Sequence, residues 1–174
     1  MSRAELEAAK LLVASKQGAE LPVDVEAVAA HLSAQIVLEH LDRSVSGMLY
    51  RDDDHVVIGV NSAHTERRRR FTIAHELGHL VLHKGRPLVV DHVRVNFRDA
   101  TSSTATDIEE IQANAFAAEL LMPREQVVAM ARHAGKADSV GTDAVVLRDL
   151  ADGFEVSTEA MDYRLINLGL RRQV

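Results

Sequence analysis

Apolar and polar residues near the N-terminus recur with the spacing of helices. Ser2 and Glu5 form a capping-box sequence ahead of an apolar pattern of helical period, which predicts a first helix over about 3–17. Asp24 is a typical N-cap residue, and the small apolar residues after it predict a second helix over about 25–33. The chain therefore begins with two helices before the period of its pattern changes.

Short runs of β-branched and apolar residues follow the two helices. They lie at about 36–38, 45–50 and 56–60, and the polar turn at 51–54 joins the last two, which predicts a β-hairpin. A further run at about 88–95 is a candidate for another strand. We therefore predict a small antiparallel sheet of about three strands.

The rest of the chain has mainly helical periodicity. Thr106 opens a second capping-box sequence, and Pro123 marks the first turn of a further helix. The residues at about 99–106 and 136–142 are typical of a loop and a linker. The predicted fold class is α+β, with the sheet packed against helices and a helical C-terminal segment. The predicted helices lie at about 65–83, 107–122, 123–135, 143–153 and 157–168.

Composition and charge narrow the classes of function. Of the 174 residues, 47% are hydrophobic and 26% are charged, as in globular proteins, and the net charge of −6 disfavours broad nucleic-acid binding. The chain has no cysteine, which excludes disulfides, thiolate metal ligands and a cysteine nucleophile. No apolar stretch resembles a signal peptide or a membrane span, so we expect a cytoplasmic protein with neither nucleic-acid nor membrane partners.

One segment of the long helical pattern carries residues of specific chemistry. It reads His75-Glu76-Leu77-Gly78-His79, an H-E-x-x-H motif. Residues four apart lie on one helical face, so both imidazoles can reach one metal ion, and neutral imidazole suits zinc. Glu76 follows the first histidine and is placed to take a proton from an attacking water. The alternative is a polar stripe on a surface helix that binds no metal.

A catalytic zinc site needs a third protein ligand. His83 lies about 12 Å along the helix axis from the first histidine of the motif, too far to share one ion, and His92 is a weak candidate. Glu110 is preferred because Glu109 occupies the third position of the capping box, and Asn114 follows Glu110 on the same face. The alternative is that both glutamates only complement the helix dipole. Manganese or iron would suit these ligands as well as zinc.

Two segments are distinctive as a pair: residues 70–79, which contain the H-E-x-x-H motif, and residues 110–123, which read EIQANAFAAELLMP. Together they resemble the ImmA/IrrE family of bacterial metallopeptidases. The resemblance covers about 20–170 of the chain. It implies a metallopeptidase-like domain at 1–135 and a helical appendage at 136–174 that is packed on this domain.

The resemblance implies a role for each candidate residue. The metal ligands of the family correspond to His75, His79 and Glu110, and its catalytic glutamate corresponds to Glu76. This arrangement is gluzincin-like, because a glutamate from a later helix completes the H-E-x-x-H motif. The implied enzyme is a zinc metallopeptidase, with Zn2+ as its cofactor and Mn2+ as an alternative ion.

The resemblance also implies a substrate. Members of the family characteristically act on helix-turn-helix repressors and relieve the repression of mobile-element or stress-response genes. We therefore expect an endopeptidase whose protein substrate is a helix-turn-helix repressor encoded nearby. The alternative is a metal-stabilised module of the toxin–antitoxin type, which binds a repressor without cutting it.

The C-terminal segment 145–170 has the pattern of a helix-turn-helix. Its second helix carries Glu159 and Asp162, whose charges are the wrong sign for contacts with phosphates. We therefore expect this segment to pack on the rest of the chain or to dock a repressor, and not to bind DNA.

Two other features suggest surface roles. The arginines at 67–70 are expected to be solvated or paired, with the acidic residues at 52–54 as candidate partners. The sheet edge near residues 45–60 is a hypothetical site where an extended substrate strand would pair with the backbone.

Overall fold

The computed structural model confirms the predicted α+β class, since its described residues form helices around a small sheet. The described residues are 1–84, 87–92, 105–133 and 144–171, with the backbone alone described for 90–92 and 105–107. The elements, in chain order, are α1 (Arg3–Ser15), α2 (Val25–His31), β1 (Ala34–Glu39), β2 (Val45–Arg51), β3 (Val56–Asn61), α3 (Glu66–Leu82), β4 (Leu88–His92), α4 (Ala105–Leu121), α5 (Arg124–His133), α6 (Ala144–Gly153) and α7 (Thr158–Asn167).

Both N-terminal helices begin where their capping residues predict. Ser2 Oγ accepts a hydrogen bond from the Glu5 N–H at 3.2 Å, and the Glu5 carboxylate accepts one from the Ser2 N–H at 2.6 Å, which completes the capping box. Asp24 Oδ1 accepts hydrogen bonds from the N–H groups of Glu26 and Ala27, each at 3.0 Å. The apolar faces of α1 and α2 are buried, so the local signals and the packing agree.

The sheet is mixed and has the strand order β1-β3-β2-β4. The predicted hairpin of β2 and β3 is confirmed, and the candidate strand at 88–95 is present as β4, which pairs antiparallel with β2. However, β1 pairs with β3 in parallel. The prediction of a purely antiparallel sheet of about three strands is therefore wrong in both strand number and orientation.

The parallel pairing of β1 depends on the connection between β1 and β2, which crosses the end of β3. There the side-chain amide of Asn61, the last residue of β3, donates to three backbone carbonyls of this connection and of the start of β2. The acceptors are Leu41 at 3.3 Å, Asp42 at 3.1 Å and Val45 at 2.9 Å. These long-range hydrogen bonds hold β1 on the far side of β3, and no local sequence pattern reports them.

The strands at 45–60 lie in the interior of the sheet. β4 covers β2, and β1 covers β3, so the hypothesis of a substrate-binding edge at 45–60 is wrong. The pairing of β2 with β4 is irregular between Val45 and Gly47, as in a β-bulge. The outer strands of the described sheet are β1 and β4.

The helix with the H-E-x-x-H motif, α3, lies between the sheet and α4. It packs against β2 and β3 on one side and along α4 on the other. Gly78 permits this close approach, because a Cβ there would lie 3.1 Å from Ala113 Cα and 3.3 Å from Phe116 Cβ. The helix pair is thereby held in a fixed arrangement. The sheet, α3 and α4 each contribute fully buried side chains, which are Leu49, Ile58, Leu77, Phe116 and Leu120.

The last helix, α7, is joined to the rest of the protein by a buried arginine. Arg164 is 2% exposed, and its Nε donates to the Met122 carbonyl at 3.0 Å. Its guanidinium also pairs with Glu5 of α1 at 3.1 Å and with Glu119 of α4. The last helix is therefore held against α1 and against the C-terminal end of α4. The predicted domain boundary at 135/136 lies outside the described residues, so the division into two domains stays a prediction.

Two of the four arginines at 67–70 form ion pairs, but with partners other than those proposed from the sequence. Arg67 pairs with Asp152 at 2.7 Å, and Arg70 lies 3.6 Å from the Glu155 carboxylate. The acidic residues at 52–54 instead stabilise their own turn, where Asp52 accepts backbone hydrogen bonds. These bonds, from the Asp54 N–H above all, lower the pKa of the Asp52 carboxyl to about 2. Ion pairs thus connect the first turns of α3 to the end of α6 and to the loop that follows it.

Two predicted connections lie mainly outside the described residues. They are the linker at 136–142 and the loop at 99–106, whose last two residues belong to α4. Since α4 begins at Ala105, Thr106 lies inside the helix and is not its N-cap, so the second predicted capping box is wrong. Among the described helices, none is both long and apolar enough to cross a membrane.

Candidate metal centre

The residues of the H-E-x-x-H motif occupy the buried face of α3. His75 is 7% exposed, His79 is 1% exposed and Glu76 has no exposed surface. The four-residue spacing places the two imidazoles one helical turn apart on the side that faces α4. The alternative interpretation is therefore wrong in one respect, since the motif is not an exposed stripe on a surface helix.

Three predicted ligand side chains converge between α3 and α4. The Nε2 atoms of His75 and His79 lie 3.0 Å apart, and each lies 3.3 Å from an oxygen of the Glu110 carboxylate. In the part of the chain that the structure describes, His75, His79 and Glu110 form the cluster able to hold a metal ion, with ligand atoms within 4.8 Å of one another. The alternative in which Glu110 only complements the helix dipole does not account for this convergence.

The donor set fits a small divalent cation. Ligands at about 2.0–2.1 Å in a tetrahedron lie roughly 3.3–3.4 Å from one another. The contacts of the Glu110 carboxylate match this spacing through a different oxygen for each imidazole, Oε2 for His75 and Oε1 for His79. Burial raises the pKa of Glu110, but hydrogen bonds and charge from His75 and His79 outweigh it, and the net pKa lies well below its usual range. The carboxylate is therefore ionised at neutral pH, as a metal ligand must be.

The second nitrogen of each imidazole has a partner of its own. His75 Nδ1 donates to Asn114 Oδ1 at 2.9 Å, one helical turn after Glu110. His79 Nδ1 lies 3.0 Å from His83 Nδ1, and His83 Nε2 lies 3.0 Å from Gln112 Oε1. Because each contact holds an Nδ1, the Nε2 atoms are directed toward Glu110.

The role of Asn114 was predicted from its spacing to Glu110, whereas the roles of His83 and Gln112 were not predicted. His83 was excluded as a ligand, and the structure agrees, because its ring contacts His79 and not the centre of the cluster. The signal was the i, i+4 spacing of His79 and His83, which predicts a contact between the two rings. The side chain of His92, the weaker candidate, lies outside the described residues.

Glycine 47 of β2 leaves the space that the Glu76 side chain occupies. A Cβ at Gly47 would lie 3.0 Å from Glu76 Oε1 and 2.5 Å from Thr72 Cγ2. Any other residue at this position would collide with α3, so the strand passes close to the glutamate only because it lacks a side chain. The sequence signal was a glycine inside a strand, which often marks a bulge or a close approach of the backbone.

Comparison with known families agrees with this geometry. The family model of the IrrE N-terminal-like domain, a peptidase family, matches residues 29–166. This range includes α3, α4 and all four strands of the described sheet, and extends into α7. The chain therefore belongs to the family of IrrE N-terminal-like domains.

Two curated relatives are similar to parts of the chain. The radiation response metalloprotease IrrE of Deinococcus radiodurans is 33% identical over 115 residues, which cover 66% of this chain and 32% of that protein. An uncharacterized immunity region protein 2 of Bacillus phage phi105 is 28% identical over 96 residues, 55% of this chain and 56% of the phage protein. The matched region thus spans less than two thirds of either relative.

Proposed function

We propose that this protein is a zinc-dependent endopeptidase in which His75, His79 and Glu110 bind the metal and Glu76 is the catalytic residue. The observation that carries the proposal is the convergence of the three ligand atoms beside a buried glutamate. Membership of a peptidase family supports it independently. Manganese is the alternative ion, because two imidazoles and a carboxylate also suit it.

The proposed chemistry divides between the ion and the chain. A bound divalent ion supplies Lewis acidity, which polarises a peptide carbonyl and makes water a better nucleophile near neutral pH. Glu76 takes the proton of the attacking water and passes it to the leaving amine. Its burial beside Gly47 keeps bulk water away from the carboxylate. Asn114 and His83 hold the two imidazoles in the orientation that leaves Nε2 for the ion.

The proposed substrate is a helix-turn-helix transcriptional repressor encoded nearby, whose cleavage relieves repression. The similarity to a phage protein that is named for an immunity region supports this substrate. The site of action is then the cytoplasm, in keeping with a chain that has no cysteine. Direct contact with nucleic acid is not part of the proposal, and the net charge of −6 is consistent with that.

Incubation of the zinc-loaded protein with the repressor of the adjacent gene tests the proposal. Mass spectrometry should find a single defined cut with the wild type and at least a thousandfold slower cleavage with Glu76→Gln, roughly what loss of a catalytic base and its charge costs. Glu66→Gln makes the same chemical change at an exposed position of the same helix and should cleave normally.

Two results would overturn the proposal. Equal cleavage by the wild type and Glu76→Gln would show that the glutamate is not catalytic. Tight binding of the repressor by both proteins without any cut would favour the alternative, a metal-stabilised module that sequesters the repressor.

A further inference from the structure

A cavity of about 460 Å³ lies beside the candidate centre, between the first turns of α3 and the start of α7. Phe71, Val156 and Ala160 form its apolar wall, and Arg67, Arg68 and Glu159 are its charged lining residues. We call this cavity the Arg68 pocket. Its mixed lining would suit a side chain with an apolar stem and a charged end.

The Arg68 pocket adjoins the metal ligands along one face of α3. The ring of Phe71 lies 6.4 Å, centroid to centroid, from the ring of His75. Arg68 precedes His75 by seven residues, which is about 10 Å along the helix axis. An extended peptide covers that distance in about three residues, so a substrate cut at the centre would reach the pocket with a nearby side chain.

The two arginines that line the pocket differ in whether a carboxylate neutralises their charge. Arg67 is neutralised by Asp152 at 2.7 Å and donates to the Val156 carbonyl at 3.0 Å. Arg68 makes no ion pair within the described residues; its guanidinium has one long hydrogen bond, 3.4 Å, to Ser46 Oγ. Its Nε is buried, and no described residue accepts a hydrogen bond from it. A partly buried guanidinium in this state gains free energy from a carboxylate ligand.

The remaining charged groups near the pocket do not fill this role. Glu159 is exposed on the first turn of α7, where its charge complements the helix dipole. His64 lies close enough to Arg68 that burial and then the arginine charge lower its pKa, which keeps the imidazole neutral near pH 7. The N-terminal end of the ten-residue helix α7 adds a positive partial charge to the same cavity.

We propose that the Arg68 pocket is a specificity subsite that receives an acidic side chain of the substrate, two or three residues from the cut bond, with Arg68 binding its carboxylate. Glutamate fits better than aspartate, because its two methylenes can pack against Phe71 and Val156. This inference rests on the proposed peptidase function and deepens it by assigning a sequence preference. Arg68 is a specificity-determining residue in this account, and the catalytic chemistry remains with Glu76.

Fluorescein-labelled synthetic decapeptides that differ at one position, Glu, Gln or Lys, test the subsite in two ways. The first is kcat/KM with the zinc-loaded enzyme, and the second is the Kd of the zinc-loaded Glu76→Gln variant by fluorescence anisotropy. We expect the Glu peptide to be preferred to the Gln peptide about tenfold in both measurements, as for one charge-assisted hydrogen bond. The preference in kcat/KM should arise mainly from KM.

Substitutions in the arginine run identify the residue responsible. Arg68→Ala should abolish the preference for Glu, and Arg68→Glu should transfer it to Lys. Arg69→Ala removes the same charge from the next residue, which does not line the pocket, and should keep the preference. Unfolding temperatures should be similar for all three variants, because neither Arg68 nor Arg69 forms an ion pair with another described residue and the one hydrogen bond of the Arg68 side chain to them is long.

The outcomes separate this inference from the proposed function. Equal affinity for the Glu and Gln peptides, or a Glu preference that survives in Arg68→Ala, would overturn the subsite even if the enzyme cleaves. An Arg68-dependent preference in binding without any cleavage would support the subsite and contradict the peptidase assignment.

Discussion

The two ends of α4 each place a carboxylate against another element, and the two carboxylates meet different partners. Near the C-terminal end, Glu119 is 3% exposed and pairs with the guanidinium of Arg164, which α7 supplies. Near the N-terminal end, Glu110 faces the Nε2 atoms of His75 and His79 from α3. At the C-terminal end of α4 the protein supplies the cation itself, as an arginine. At the N-terminal end it supplies a set of side-chain atoms that could bind a metal cation.

The difference separates a structural ion pair from a candidate metal centre. A buried carboxylate with a fixed guanidinium is satisfied as soon as the chain folds, so it can connect α1, α4 and α7. Three converging ligand groups would be satisfied by an ion from solution, and such an ion would keep an open position for a substrate. Stability should therefore depend on Arg164 unconditionally and on the Glu110 cluster only when metal is present.

The largest expected effect is the loss of the internal cation. Arg164→Met should lower the free energy of unfolding by about 3–5 kcal/mol, because Glu119 would be left buried without its partner. Urea denaturation measures this loss, and added zinc should not restore it.

The matched control for this variant replaces both partners. Arg164→Met combined with Glu119→Leu should recover most of the lost stability, since no unpaired charge remains in the core. A single variant as stable as the wild type would mean that Arg164 does not hold the C-terminal helix.

Metal should stabilise the other end of α4 by mass action. Free zinc at about a hundred times its Kd should raise the free energy of unfolding by about 2.7 kcal/mol, and a chelator should remove the gain. Thermal unfolding with and without zinc measures it. In His79→Ala the two curves should coincide, and a zinc effect of full size in that variant would place the ion elsewhere.

The partner of His75 should affect metal affinity more than stability. Asn114→Ala should weaken zinc binding about 10- to 100-fold, because the imidazole loses the contact that orients it. A competition titration with a chromophoric chelator gives the affinity. Asn167→Ala, a change of the same type at an exposed site, should leave the Kd unaltered, and equal Kd values for all three proteins would rule out the orienting role of Asn114.

The smallest effect belongs to the exposed ion pair on the surface between α3 and α6. Arg67 and Asp152 are 42% and 53% exposed in their side chains. Asp152→Ala should therefore cost at most about 1 kcal/mol of unfolding free energy, and less at high salt. A loss in urea denaturation as large as that of Arg164→Met would contradict the contrast between buried and exposed pairs.

Much of the site was predictable because its information is local. The spacing of His75 and His79 places them on one face of any helix, and the capping box of α1 fixes its start in the same way. The role of Glu110 required a second helix, and the resemblance to a known family supplied what the spacing alone left open. The spacing of the two histidines and the capping box predict local structure independently of the tertiary arrangement.

What could not be predicted depends on contacts between distant residues. The parallel pairing of β1 follows from the Asn61 amide and a crossing connection, which leave no periodic pattern. The burial of Arg164 could not be predicted from the sequence, because an arginine in an amphipathic helix is usually a surface residue. Gly47 gave a signal, a glycine within a strand, but the contact with Glu76 needed the packed structure.

The central claim is that Glu110 and the two motif histidines bind a divalent ion beside Glu76, and zinc stoichiometry tests it most directly. Isothermal titration with zinc, checked by elemental analysis after dialysis, should give about one equivalent for the wild type, Glu76→Gln and the surface control Glu66→Gln. Glu110→Ala and His79→Ala should lose this binding. A wild type that binds no zinc, or a Glu110→Ala variant that binds it as tightly as the wild type, would contradict the account.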